Sequence, residues 1–200
     1  MVKEPVAGRV KTRLARGIGT VAATSVYRAM LSAVVARLGS DLRWQTIIAV
    51  SPDGALASSM LPPHLSRVPQ GGGDLGQRMQ AVFDAMPPGP VIVIGTDIPG
   101  IRPADIALAF RCLGAHDAVL GPSGDGGYWL VGLNRRGRSA KAFANVRWSS
   151  AFALSDTRKN LKDYGVALTA TKDDIDCAGD LRRLGANAGR VIASLGSIRF

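Results

Sequence analysis

Two hydrophobic periods alternate along this chain. Residues 91–94 (Val-Ile-Val-Ile) form an unbroken apolar run between Pro90 and Gly95, the pattern of a strand buried on both faces. Residues 21–38 instead place Val21, Tyr27, Leu31, Val34, Val35 and Leu38 at helical spacing, and Gly39 supplies a stop. By the same criteria, further strands are predicted at 44–50, 66–68, 118–120, 128–131 and 166–169. Further helices are predicted around 54–60, at 75–86 with Asp74 as N-cap and Pro87-Pro88 as terminator, and at 103–113 with Pro103 in the first turn. Another runs from Ser149 or Ser150 to about residue 164, and Asp176 or Asp180 starts the terminal helices.

Strand and helix signals alternate throughout, so the fold class is α/β. No repeat, low-complexity tract or long linker divides the chain, and residues 1–200 are expected to form one domain with a substantial core. Only Met1-Val2-Lys3 precede the first Pro/Gly loop. Either the first strand is very short or residues upstream of it are missing from the sequence.

Composition narrows the setting. No apolar run approaches the ~20 residues a bilayer-crossing helix needs, and no signal-peptide core opens the chain. Two cysteines, Cys112 and Cys177, do not make a disulfide framework, so a reducing, cytoplasmic setting is expected. The net charge of +10 is uneven: residues 1–43 carry eight Lys or Arg against two acids, and residues 135–162 carry eight against one. Residues 44–134 between them are acidic, with four against seven. Such a layout suits an anionic small molecule held with a cation between carboxylates and phosphate. A pI near 10.4 also permits nucleic-acid binding. The three tryptophans are not interleaved with the basic clusters, so that reading is not favoured. Arg135, Arg136 and Arg138 are read as solvated.

The chemistry-bearing residues concentrate in five segments. Gly95-Thr96-Asp97-Ile98-Pro99 puts a carboxylate at the carboxyl end of a buried strand, where open α/β sheets place ligands. It is a metal or substrate ligand, or a cap for the next turn. Residues 3–14 form a Pro/Gly loop carrying Lys3, Arg9, Lys11 and Arg13, suited either to wrapping phosphate or to solvation. Gly71-Gly72-Gly73-Asp74-Leu75-Gly76 runs into a helix N-terminus and allows close backbone approach to a ligand, or is a capped turn. Asp125-Gly126-Gly127-Tyr128-Trp129 offers an acceptor, an open backbone and a stacking face fit for a sugar, or a β-turn before a core strand. Trp148 lines the same cleft or belongs to the core. Asp173-Asp174-Ile175-Asp176 clusters carboxylates that repel unless a cation such as Mg²⁺ or Mn²⁺ relieves them, while Asp180 suits a helix N-terminus. His64 and His116 lie in plain contexts, which disfavours zinc and a Ser-His triad.

In order, residues 3–14, Gly73 to Met79, Gly95 to Pro99, Asp125 to Tyr128, Trp148-Ser149 and Asp174 to Leu181 resemble an uncharacterised glycosyltransferase-like family. That family lies within the nucleotide-diphospho-sugar transferase superfamily, the glycosyltransferase-A fold. The Thr-Asp-x-Pro element with a basic N-terminal loop is also similar to 2-phospholactate guanylyltransferases and molybdopterin nucleotidyltransferases. The resemblance implies a three-layer α/β/α, Rossmann-like domain with a mixed, mostly parallel sheet and a nucleotide over the strand ends. By position it implies Mg²⁺ or Mn²⁺ held by Asp97 and Asp176, and phosphates or nucleotide met by Lys3, Gly8, Lys11, Arg13, Gly73 and Asp74. Substrate or acceptor would be met by Asp125, Gly126, Gly127, Tyr128 and Trp148, with Asp97 and Asp125 catalytic. The sequence departs from the family in lacking a full first strand, and from the superfamily in having one Asp where an Asp-x-Asp is usual. The expected function is therefore metal-dependent transfer from a nucleotide-activated substrate. Glycosyl transfer from a nucleotide sugar comes first, nucleotidyl transfer from an NTP is the alternative, and a non-catalytic nucleic-acid binder is distant.

Overall fold

The computed structural model describes residues 1–135 and 141–183. The elements in chain order are β1 (Val2–Lys3), α1 (Thr12–Ile18), α2 (Thr20–Leu38), β2 (Ile47–Ser51), β3 (Ser66–Pro69), α3 (Leu75–Ala85) and β4 (Val91–Ile94). They continue with α4 (Pro103–Ala115), β5 (Ala118–Pro122), β6 (Tyr128–Leu133), α5 (Ala153–Asn160), β7 (Val166–Leu168) and α6 (Ala178–Arg183). The α/β class is as expected.

Two hydrogen-bonded ladders, β1-β2-β3 and β4-β6-β5-β7, meet at the first residues of the chain. The Met1 amine donates to the Ile94 carbonyl at 2.7 Å, which brings β1 beside β4. The β1–β2, β2–β3 and β5–β7 pairs are parallel, while β6 runs antiparallel to both β4 and β5. The sheet is therefore mixed and mostly parallel.

Side-chain alternation along the strands builds a layer on each face. In β5, Ala118 and Leu120 join the cluster of Met79, Val82 and Phe83 from α3, whereas Val119 faces Ile106, Ala109 and Leu113 from α4. In β2, Ala49 joins the α3 cluster, while Ile48 and Val50 pack with Leu31 and Val35 of α2. Helices α2 and α4 thus cover one face and α3 the other, giving three layers. Gly132 makes room for this packing, because a Cβ there would lie 2.6 Å from Val119 and 3.0 Å from Leu113.

β1 is only two residues, and its backbone groups find partners outside the ladder. The Tyr27 hydroxyl of α2 donates to the Lys3 carbonyl and accepts from its N–H. The fully buried Gln70, just past β3, donates its amide to the Val2 and Ala49 carbonyls at 3.0 and 2.7 Å. A buried carbonyl left unpaired costs about 1–3 kcal/mol, so Gln70 and Tyr27 do what a longer strand would do.

Several boundaries differ from the sequence reading. The basic loop of residues 3–14 ends in α1, because its apolar residues Val10 and Leu14 bury against Ala23, Tyr27 and Met30. The helix near 54–60 reduces to a 3₁₀ turn at Asp53–Ala55. The strand expected at 44–50 begins at Ile47, because the Trp44 indole turns back to donate to the Leu38 carbonyl. The helix expected from Ser149 or Ser150 starts at Ala153, since the Ser150 hydroxyl bonds the Arg147 carbonyl and the Phe152 N–H in a turn. Arg135 is not merely solvated, as it donates to the Met86 and Pro87 carbonyls. Arg136, Arg138 and the terminal helix beyond Arg183 lie outside the described residues.

Helix α2 is, among the described helices, the one long and apolar enough to cross a membrane by length and composition. The sequence reading had found no such run. Half of its apolar window is buried against the sheet and α1, as a core helix requires. Phe83 is the largest fully buried side chain and stacks on Phe143 at 5.7 Å between centroids. Phe83→Ala is expected to lower unfolding stability by about 3–5 kcal/mol, measured as a lower urea midpoint with an unchanged slope.

Candidate functional site

The site begins where β4 ends. Backbone pairing of β4 with β6 delivers Gly95, Thr96 and Asp97 at the carboxyl edge of the sheet. A Cβ at Gly95 would lie 2.8 Å from Asp97 Oδ1 and 2.9 Å from Ile98, so glycine lets the carboxylate fold back over the strand end. The chain returns to this point much later: the Ile175 N–H donates to the Asp97 carbonyl at 3.1 Å. That single backbone bond sets Asp174 and Asp176 beside Asp97. One oxygen from each of the three carboxylates lies within 4.8 Å of the others.

Lys11 enters from the other side. Its backbone is left-handed (φ 47°), and it stands at the N-cap of α1 without capping the helix. The side chain is only 6% exposed, and Nζ donates to Asp97 Oδ2 at 2.8 Å and to Asp176 Oδ1 at 2.9 Å. Burial pulls its pKa down, but the charge and hydrogen bond of Asp97, then those of Asp176, raise it above the ordinary lysine value. Arg13, on the first turn of α1, adds a 3.1 Å bond to the other oxygen of Asp176. Among the described residues, Asp174 has no such partner. Burial, followed by the charges of Asp97 and Asp176, pushes its pKa up to about 6.

Beside this cluster lies a cavity of about 490 Å³, within the range of small-ligand sites. Lys3, Lys11, Thr12, Arg13, Asp97 and Asp176 line it, together with Arg78 of α3 and Ser149. Lys11 and Ser149 (φ 58°) are two of the three non-glycine residues with positive φ among those described. Backbone strain of about 1–3 kcal/mol each is thus concentrated at the cavity wall, a recurrent property of ligand sites.

Of the residues singled out from sequence, Lys3, Lys11, Arg13, Asp97 and Asp176 come together here. Lys11 and Arg13 face carboxylates in this structure, where the resemblance implied phosphates. Gly8 (φ 80°) shapes the basic loop but does not line the cavity. Asp74 caps α3: it accepts from the Gln77 N–H at 2.8 Å, and Gln77 returns the bond at 2.9 Å. Gly73 has a left-handed backbone (φ 87°), and a side chain there would also collide with Gln77, so the position suits glycine on both counts. Asp125 is exposed at the β5–β6 turn, where its carboxylate accepts from the Gly127 N–H at 2.9 Å. Gly126 (φ 85°) lies hard against the Ala151 backbone.

Tyr128 and Trp148 pack into the core with Phe143 rather than lining the cavity. The Tyr128 hydroxyl accepts from Thr157, and burial pushes its pKa up. Trp148 lies over Gly76, where a Cβ would be 2.7 Å from the ring. The sequence reading passed over Arg78, Gln70 and Tyr27. It placed Asp174 in the acidic cluster without assigning it to the metal. The Gly73-to-Met79 block contains Arg78 and was the available signal.

A family described as "uncharacterized protein conserved in bacteria" (DUF2064) has a sequence pattern that matches residues 34–150. The chain belongs to that family. A "putative nucleotide-diphospho-sugar transferase" from Desulfovibrio desulfuricans G20 has a crystal structure similar to this member of the family, with a TM-score of 0.79 and 25% identity. The match covers 97% of this chain and 95% of that one. No curated protein matches the chain significantly. The expected resemblance and the nucleotide-diphospho-sugar transferase fold are therefore found. The DUF2064 match takes in Asp97, Arg78 and Asp125, while Lys11, Asp174 and Asp176 flank it.

The raised pKa of Asp174 has a definite sign. A carboxyl that titrates near 6 folded and near its ordinary value unfolded favours the fold while protonated, so this contribution is lost as pH rises from about 4 through 6. In chelator-treated buffer, Asp174→Asn is expected to raise Tm at pH 7.5 and to leave it nearly unchanged at pH 4. A scan of Tm against pH for both proteins checks this.

Proposed function

We propose that this protein is a divalent-metal-dependent transferase that moves a glycosyl group from a nucleotide sugar to an acceptor hydroxyl. The observation that carries the reading is the group of three carboxylates at the strand end, beside a cavity with a basic wall. The likeness to the Desulfovibrio protein supports it. Hard oxygen donors of this kind fit Mg²⁺ or Mn²⁺, and burial together with the charges of Asp97 and Asp176 raises the Asp174 pKa, an effect a bound cation would oppose. Asp97, Asp174 and Asp176 would hold the ion. When bound, it would neutralise the diphosphate as leaving group.

The remaining work falls to the chain. Lys3 and Arg13 at the cavity rim supply positive charge for the phosphates, and Lys11 holds Asp97 and Asp176 in place. In the transfer, the bond from the anomeric carbon to the phosphate oxygen breaks and a bond to the acceptor oxygen forms. The acceptor proton must leave to a base. Asp125, exposed and near enough for its charge to act on Asp174, is the residue assigned to that task. Gly126 and Gly127 shape its turn. Tyr128 and Trp148 support the turn from the core.

One observation favours a second reading, nucleotidyl transfer from an NTP. Strand β4 ends in a single Asp, with glycine and threonine before it, as in the nucleotidyltransferases the sequence is similar to. The two reactions differ in product: a nucleoside diphosphate from a nucleotide sugar, pyrophosphate from an NTP. A panel of nucleotides and sugar nucleotides, titrated by thermal shift with and without Mn²⁺, tests the common premise. The metal is expected to increase the stabilisation by nucleotide, and that increase to vanish in Asp97→Asn, which should also lose about 100-fold or more in turnover. Stabilisation indifferent to both metal and Asp97 would sink the proposal.

A further inference from the structure

Among the described cations lining the cavity, Arg78 has an unusual position. Lys11 and Arg13 are paired with carboxylates, the Met1 amine donates to the Ile94 carbonyl, and Lys3 is exposed at the rim. Arg78 is half-buried and forms no ion pair among the described residues. One Nη donates to the Gln70 side-chain oxygen, but Nε is fully buried with no hydrogen-bond partner among the described residues. An unpartnered buried donor costs about as much as a lost hydrogen bond, and more when charged. Folded proteins keep such groups for a reason that lies outside the bare chain.

The direction of the guanidinium is imposed. Gln70 is itself fixed, since its amide nitrogen donates to the Val2 and Ala49 carbonyls, leaving its oxygen to face α3. Arg78 stands on α3, three residues after Leu75, whose side chain also lines the cavity. The cavity therefore has two poles. Carboxylates gather at the end of β4, while an uncompensated guanidinium stands over the ends of β1 and β3. A neutral ligand group at the second pole would leave the charge unbalanced, whereas an oxyanion would balance it and take the free donor.

We propose that Arg78, aimed by Gln70, is an anion-binding residue that receives a phosphate oxygen of the ligand on the β1–β3 side of the cavity. This rests on the reading that the cavity takes a phosphorylated substrate, but it does not need the metal or the transfer. Gln70 is a positioning residue, because its amide is held by the Val2 and Ala49 carbonyls and its oxygen by the guanidinium. Arg78 holds one phosphate at the β1–β3 side of the cavity and leaves the other free to face the carboxylate end.

The experiment uses inorganic pyrophosphate, which has neither base nor sugar, titrated calorimetrically into the metal-free protein. Wild-type protein should bind it. Arg78→Gln should weaken binding about 10- to 100-fold with Tm unchanged or raised, because no ion pair is lost. Arg78→Lys keeps the charge but not the fork held by Gln70, and should lie between the two. The proposal is overturned if wild-type protein does not bind pyrophosphate at millimolar concentration. It is equally overturned if Arg78→Gln binds within about twofold of wild type, or only lowers Tm. Failure of the Asp97→Asn and Mn²⁺ experiment would remove the transferase reading and leave the pyrophosphate result standing, so the two can fail separately.

Discussion

The structure depends on one buried ammonium. Lys11 Nζ joins three distant parts of the chain: the first loop, the end of β4 through Asp97, and the segment before α6 through Asp176. Neither side tolerates the loss of the other. An ammonium as buried as this one is expensive without a counter-charge, and carboxylates crowded together repel without a cation. The backbone bond from Ile175 to Asp97 fixes the register at which the two carboxylates meet it. The left-handed backbone at Lys11 is held in the same way, since it persists only where surrounding contacts over-determine it.

This arrangement explains what the sequence disclosed and what it hid. The strands at 91–94, 118–120 and 128–131 were legible because a strand packed on both faces leaves a short apolar run, and its length and flanking Gly, Pro or Asp set it apart from a helix segment. Asp97 was legible for the same reason, as the first charge after such a run. Helix α1 was not legible. Its signal is two buried residues, Val10 and Leu14, inside a stretch whose charges dominate any local reading. The β1 strand was equally faint, because its stability comes from Gln70 and Tyr27, which are remote in sequence.

The aromatic residues show a different limit. Tyr128 and Trp148 follow Asp-Gly-Gly and precede Ser149, which suits a stacking face for a sugar. The same residues suit a core, and here Gly76 decides between them: its bare backbone accepts the Trp148 ring. Nothing near Trp148 in sequence reports that vacancy 72 positions earlier. Arg78 was hidden in the opposite way. A single arginine on an amphipathic helix reads as solvated, and only the placement of Gln70 reveals that it faces inward.

The missing second Asp of the strand-end motif looks different once the segments are in place. A motif counts carboxylates along the chain, whereas a cation counts oxygens in space. Strand β4 contributes one carboxylate and the 173–176 segment contributes two, so three are gathered where a sequence motif would show a single Asp. The single Asp of the motif is therefore joined in space by two further carboxylates. What distinguishes this cavity is where its charges sit: carboxylates over β4 with Lys11 among them, and over β1 and β3 a guanidinium with no ion pair among the described residues. If the carboxylates hold a cation as proposed, a ligand that satisfies both poles must carry anionic groups that reach from that cation to Arg78. A diphosphate does this with its own two charged groups, while a neutral sugar or a lone base satisfies neither pole.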